Sequence, residues 1–319
     1  MIGLERKRNM KSCFVIPTLT GLLLGLGGVA MADEAALLAK RCANRISITI
    51  TGTSADSALA SDPEPQSKVD ALLNSPEFVE RFSRFLNSEW NPEPGVSSQQ
   101  DATYHMAKHI LTKKEPFKNI FVGPYSVRGR NNNVRVEDDP NGLGYFRSNA
   151  WMDRYAGNET EGLRIVAGYQ MLQNILGTEL IATTNAPDAD VSATGRQAAG
   201  CRGCHYDGWY ALDNLAQVLS RANRDAEMEL IKPFSPPPAG AKPVLGGIMV
   251  NNDKELVEAM VNSDEFSFNA CRLSFKFLYG RAENECEAKI FDACMTEFKK
   301  TGLIRSALST VAKDKSFCQ

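Results

Sequence analysis

Apolar side chains in this chain recur mostly at helical spacing. Leu37, Leu38, Cys42, Ile46 and Ile50 return every three or four positions, the period of one helix face. Within that run, Ile46-Ser47-Ile48-Thr49-Ile50-Thr51 also alternates with β-branched residues, so propensity alone reads it as a strand. Phe78, Phe82, Phe85 and Leu86 line a second helical face. It opens on Ser75-Pro76-Glu77, a helix start with proline in the first turn. Residues 101–114 read as a third helix. Leu163, Val166, Tyr169, Leu172 and Ile175 predict a fourth, opening at 158–161 and closing at Gly177. Further helices are expected from Leu212 to Ile231, Lys254 to Val261, 264 to 279, 285 to 300 and 303 to about 313. Residues 54–66, 91–100, 123–149 and 183–194 are rich in Ser, Pro, Gly, Asn or Asp and read as loops. Val244 to Val250 reads as a short extended stretch. The fold class is therefore mainly α, with a helical N-terminal region and a helical C-terminal region.

One stretch stands outside this patterning: Cys201-Arg202-Gly203-Cys204-His205. It is a C-x-x-C-H run, the signature of covalent c-type haem attachment. Each thiol forms a thioether with a haem vinyl group. Residues three and four apart share a helix face, so both sulfurs and the His205 imidazole can meet one flat macrocycle. Cys201, Cys204 and His205 are thus the expected haem-binding residues, with His205 as axial iron ligand. Zinc is the rival, because a structural zinc site needs a second ligand pair and His105 and His109 sit four apart on the predicted 101–114 helix. Either histidine is also a possible distal haem ligand, although two ordinary surface histidines would look the same. A thioredoxin-like pair normally accompanies a βαβ pattern, which this sequence lacks.

The N-terminus changes the picture by placing the motif in a compartment. Arg6, Lys7, Arg8 and Lys11 precede an apolar run from Leu19 to Val29 and Ala30-Met31-Ala32, the layout of a cleavable secretory signal. Residues 1–32 are therefore expected to be removed, leaving a periplasmic or secreted protein that begins at Asp33. Bacterial c-type haem is attached outside the cytoplasmic membrane, so signal and motif agree. The whole chain is near charge balance, with 36 Lys+Arg and 38 Asp+Glu. Without residues 1–32 it carries 32 basic and 37 acidic side chains, a formal charge of −5. That balance gives no reason to expect nucleic acid, and it favours a basic redox partner protein. No segment beyond the signal is long and apolar enough to span a membrane.

Two flanking patterns carry a resemblance. The segment Arg45-Ile-Ser-Ile-Thr-Ile-Thr-Gly52, followed by Val69-Asp-Ala-Leu-Leu-Asn-Ser-Pro-Glu-Phe78-Val-Glu-Arg81-Phe82, resembles the opening of planctomycete-type cytochrome c proteins. Asn262-Ser-Asp-Glu-Phe266, Cys271, Tyr279-Gly280-Arg281 and Ser316-Phe317 resemble the C-terminal helical module of the same family. The similar segments cover about half the chain, at both ends. Where that family's haem segments read D-P-x-G after the motif, this chain has Asp207-Gly208 without the proline. The resemblance implies helix rather than strand through residues 42–51, and a helical cytochrome c-like, haem-bearing C-terminal region. The domain plan is then 33–182 as a helical N-terminal domain, 183–200 as linker and 201–319 as the haem-binding domain.

An oxidising compartment makes disulfides expected among Cys42, Cys271, Cys286, Cys294 and Cys318. Antiparallel register of the last three helices sets Cys271 opposite residue 293, beside Cys294. It sets Cys286 opposite residue 316, near Cys318. Cys271–Cys294 and Cys286–Cys318 are the predicted bridges, with Cys42 unpaired or joined to another chain. The second iron ligand decides between an electron carrier and an open haem site. Met249, 44 residues beyond His205 and after Pro243 and Gly246-Gly247, is the first choice, ahead of Met228, Met260, His105 and His109. The functional expectation is an exported electron-transfer cytochrome with one covalent haem c. A haem enzyme with an open distal site and a zinc-holding structural module are the alternatives. No Ser-His-Asp, Cys-His nucleophile or paired-carboxylate pattern is present.

Overall fold

A computed structural model of the chain describes residues 28–129, 133–156, 165–180, 190–224, 230–235 and 240–319. The signal region before residue 28 and the helix start expected at 158–161 lie outside them. The described architecture is mainly helical, with three two-stranded antiparallel ladders. No described helix is long and apolar enough to cross a membrane.

Helix α1 spans Gly28–Thr51, so the Ile46–Thr51 run is helical. Burial shows why the helical period wins. Ile46 and Ile50 are fully buried, whereas Ile48, which a strand would place on their face, is 46% exposed. α1 packs on α2, Pro76–Trp90. The Ser75 hydroxyl accepts the Phe78 backbone N–H at 3.1 Å, and Pro76 fills the first turn where no amide is needed. α2 buries Phe78, Phe82, Leu86 and Trp90, each contributing about 1.5–3 kcal/mol by leaving water. α3, Ala102–Lys113, packs antiparallel on α2 after the 91–100 loop.

The 123–149 stretch is more ordered than a loop. Strand β1, Tyr125–Arg128, pairs with β2, Arg135–Asp138. Tyr125, Ser126 and Val127 are all buried, so this short strand is covered on both faces. α4 spans Ile165–Leu176 and closes at Gly177, as expected. Gly177 has φ +66, and a Cβ there would meet the Asn269 side-chain oxygen at 2.5 Å. Asn269 in turn donates to the Asn174 and Ile175 carbonyls at 3.2 and 3.1 Å, satisfying the end of the helix.

The helix expected from Leu212 to Ile231 is much shorter. α5 spans only Leu212–Val218. Strands β3, Arg221–Arg224, and β4, Leu230–Ser235, form a hairpin instead. A tertiary contact overrides helix propensity here: the Ser220 backbone N–H donates to the buried Asp253 carboxylate at 3.4 Å. β5, Lys242–Val244, and β6, Ile248–Val250, form the last hairpin. α6 (Asp253–Val261), α7 (Asp264–Tyr279), α8 (Ala288–Thr301) and α9 (Ile304–Ala312) follow. Asn252 and Ser263 cap α6 and α7. α7, α8 and α9 pack against one another.

Buried residues from Cys42 to Phe317 form one hydrophobic cluster. Phe117 and Phe121 from the first half each lie 6.0 Å, ring to ring, from Phe266 of α7. Arg147 and Asp253 make a buried ion pair at 2.7 Å across the same divide.

Two described disulfides clamp this assembly. Cys271–Cys294 bridges α7 and α8, as register predicted, with Cα atoms 6.0 Å apart. The other bridge is Cys42–Cys318, with Cα atoms 4.9 Å apart. It overturns both the expected Cys286–Cys318 pair and the unpaired Cys42. Helical register does not extend past the end of α9 to residue 316: the helix stops at Ala312 and Asp314 caps a separate turn, Lys315–Cys318. That turn brings the chain end onto α1. Phe317 is fully buried, and the Arg45 guanidinium lies 4.7 Å from its ring centroid.

Candidate functional site

Three short elements build the C-x-x-C-H segment and its approach. A turn at Gly195–Gln197 leads through extended Ala198 into a helical turn, Ala199–Arg202. The helix then widens to a π-helical turn, Gly203–Asp207, a local form that recurs at functional sites. Cys201, Cys204 and His205 therefore lie on one continuous helical run. Gly208 follows because nothing larger fits: a Cβ there would sit 1.8 Å from the Gly203 carbonyl oxygen. This close approach gives Asp207-Gly208 a physical reason without the proline of the resembled pattern. Arg202 and Asp207 form an exposed ion pair across the turn. Both thiols are free; Cys201 is half-buried and Cys204 exposed.

The chain then reverses at Ala211, whose φ of +42 lies in the left-handed region. Such a backbone costs a non-glycine residue about 1 kcal/mol and persists where surroundings over-determine it. The reversal starts α5, and Asp213 in its first turn reaches back to the motif. His205 Nδ1–H donates to Asp213 Oδ2 at 2.7 Å. Asp213 is only 1% exposed. Arg196 donates to its carboxylate from Nη2 at 2.9 Å and from Nε at 3.2 Å. The Tyr206 hydroxyl adds a bond at 3.3 Å. A buried carboxylate needs this number of partners, since an unpaired one would cost several kcal/mol (~3–5). With Nδ1 committed, Nε2 is the ring nitrogen free to ligate a metal.

Met249 lies on β6, 58% exposed, beside Ile248, also exposed. Its hairpin is tied to the motif through Asn214. The Asn214 amide donates to the Tyr206 carbonyl at 3.1 Å and to the Pro243 carbonyl at 3.0 Å, and Pro243 is the cross-strand partner of Met249. Trp209 packs over the hairpin turn at Gly246 and edge-on to Tyr210, 5.4 Å between ring centroids. Met260 is fully buried in the core; Met228 lies outside the described residues.

His105 and His109 stand elsewhere, on α3. His105 Nε2 is 3.1 Å from both the Ser98 hydroxyl and the Ser98 carbonyl. Burial pushes its imidazole below the ordinary histidine value, outweighing the Ser98 bond and Asp101. Burial also lowers His109, with Lys113 adding to the effect, and its ring lies edge-on to Tyr125 at 4.7 Å. Among the described residues no group of three or more His, Cys, Asp or Glu side chains is arranged to hold a metal ion. The two-pair ligand set that zinc requires therefore does not assemble there. Two free thiols and one imidazole with its far nitrogen available suit a c-type haem by the chemistry of the donors.

Sequence reasoning missed Asp213, Arg196 and Asn214. Asp213 sits in the first turn of a predicted helix, where an acidic residue is ordinary. Only the reversal at Ala211 reveals its role. Comparisons of the chain with protein-family models, with curated proteins and with solved structures find no match.

Proposed function

We propose that the protein is an exported c-type cytochrome that carries electrons on one covalently bound haem, in the manner of the cytochrome proteins its two ends resemble. The observation that supports this reading is the run from Cys201 to His205, with two free thiols and an imidazole braced by a buried carboxylate. Cys201 and Cys204 are the attachment points. Each thiol adds across a vinyl group, sulfur to one carbon and hydrogen to the other, so no oxidant or reductant is consumed. His205 would hold the iron through Nε2, with Met249 as the proposed second ligand. Haem held there supplies a one-electron ferric–ferrous couple. Val191, ahead of the motif in the chain, and Ile248 and Met249, on the hairpin tied to it through Asn214, are large exposed apolar side chains, the kind of surface a macrocycle would cover. Trp209 and Tyr210 add apolar bulk on the helix side. Residues 201–319 form the cytochrome c-like haem-bearing region, 183–200 the linker to the helical part at 33–182, and 1–32 a signal that directs the chain out of the cytoplasm. The electron donor or acceptor is a redox partner protein, with a basic surface favoured by the formal charge of −5.

The test is a pyridine haemochrome spectrum of protein matured outside the cytoplasm with haem-attachment machinery, taken after denaturation. Bands of a doubly thioether-linked haem are expected. Haem that is lost on denaturation sinks the reading. In the native protein, Met249→Ala is expected to abolish the methionine–iron charge-transfer band. A band that survives removes Met249 as ligand, and a wild-type spectrum of five-coordinate haem replaces the carrier with the open-site enzyme.

A further inference from the structure

The geometry points to Asp213 as a positioning residue that fixes the tautomer of His205 and lowers the reduction potential of the iron the ring holds. For the identity of the metal this rests on the haem reading above; the tautomer does not. Asp213 Oδ2 accepts from His205 Nδ1 at 2.7 Å, while Arg196 donates from Nη2 to Oδ1 at 2.9 Å and from Nε to both oxygens at 3.2 Å, and Tyr206 to Oδ1 at 3.3 Å. These bonds fix the carboxylate in place, with the shortest of them all going to the imidazole. A hydrogen bond at Nδ1 makes Nε2 the ligating atom before any metal arrives. A carboxylate partner also increases electron donation from the ring to the metal. A negative charge close to the iron favours the more positive ferric state. Burial makes the effect count: Asp213 is 1% exposed, so water and salt screen it weakly. Arg196, bonded to both oxygens, offsets part of the charge, but the short bond to His205 belongs to Asp213 alone.

Asp207 supplies an internal control. It is a carboxylate in the same turn, paired with Arg202, and its side chain is 57% exposed. It adds charge near the site without a bond to His205.

The experiment has two arms. In the protein without haem, long-range ¹⁵N–¹H NMR of the His205 ring is expected to show hydrogen on Nδ1 and none on Nε2. Asp213→Asn is expected to shift the population toward the Nε2–H tautomer. A wild-type ring protonated mainly at Nε2 overturns the inference without need of any variant. In the haem-loaded protein, Asp213→Asn is expected to raise the reduction potential, and by more than Asp207→Asn does. Equal shifts in the two variants, or none, overturn the redox half. Failure of haem attachment in the wild type would defeat the proposed function yet leave the tautomer result readable. The two failures are thus distinguishable.

Discussion

Buried polar side chains are used differently in the helical core and in the segment around Cys201–His205. In the core, besides the Arg147–Asp253 pair, buried hydroxyls and amides serve the backbone. The Ser83 and Ser274 hydroxyls donate to carbonyls one turn back, and Asn269 satisfies the end of α4. Each of these groups has a local structural duty. Around the motif, Arg196, Tyr206 and His205 converge on one carboxylate, Asp213, and that carboxylate caps no helix. The core also ties its cysteines into bridges, while the motif keeps both thiols free. The contrast separates residues that hold the fold from residues arranged around a reactive side chain. It predicts that stability belongs to the first region and ligand chemistry to the second.

The largest blow to the core should come from opening its longest loop. Removing the Cys42–Cys318 bridge, which spans 276 residues, is expected to cost about 5 kcal/mol in urea unfolding, because the denatured chain regains its freedom. The shorter Cys271–Cys294 loop, of 23 residues, should cost about 3 kcal/mol by the same measurement. Asp253→Ala leaves Arg147 buried without this carboxylate and is expected to cost about 3–4 kcal/mol. A loss below ~1 kcal/mol would show that the two halves do not depend on this pair.

Acid should act more gently. His105 and His109 are lowered by burial from the ordinary value of 6.5, so folding favours their neutral forms. The stability they contribute is present above pH 6.5 and declines as pH falls through their depressed values. His109→Phe keeps a ring beside Tyr125 and is expected to flatten that decline by about 1 kcal/mol or less. An unchanged slope between pH 7 and 5 would locate the acid sensitivity elsewhere. The smallest stability effect is expected at the motif itself. Replacing Cys201 and Cys204 with serine should change the unfolding free energy of the haem-free protein by no more than about 0.5 kcal/mol, while abolishing covalent haem retention. A large destabilisation would make these thiols structural and dissolve the contrast.

Much of the helical core was legible in the chain. Ser75-Pro76 and Ser263-Asp264 marked helix starts that the capping hydrogen bonds bear out, and the register of α7 against α8 placed Cys271 beside Cys294. These features are local or one turn away, where periodicity and capping carry real information. What failed was set by contacts distant in sequence. Ser220 leaves the helical path for Asp253, and Phe317 draws the chain end onto α1, taking Cys318 away from Cys286. At Ile46–Thr51 propensity alone pointed to a strand, because alternation cannot report that Ile48 would face outward, while the helix expected there from the resemblance is the one found. The motif announced its thiols and imidazole. Its supporting residues gave no signal, since Arg196 and Asp213 look like an ordinary surface arginine and an ordinary helix-start aspartate.

The claim at the centre of this account is that Cys201 and Cys204 anchor a haem. The most direct measurement is the mass of the proteolytic peptide spanning Cys201–His205, from protein exported in cells that attach haem. The account predicts that peptide heavier by one intact haem, with neither thiol open to alkylation. A peptide of unmodified mass whose two cysteines both alkylate would contradict it.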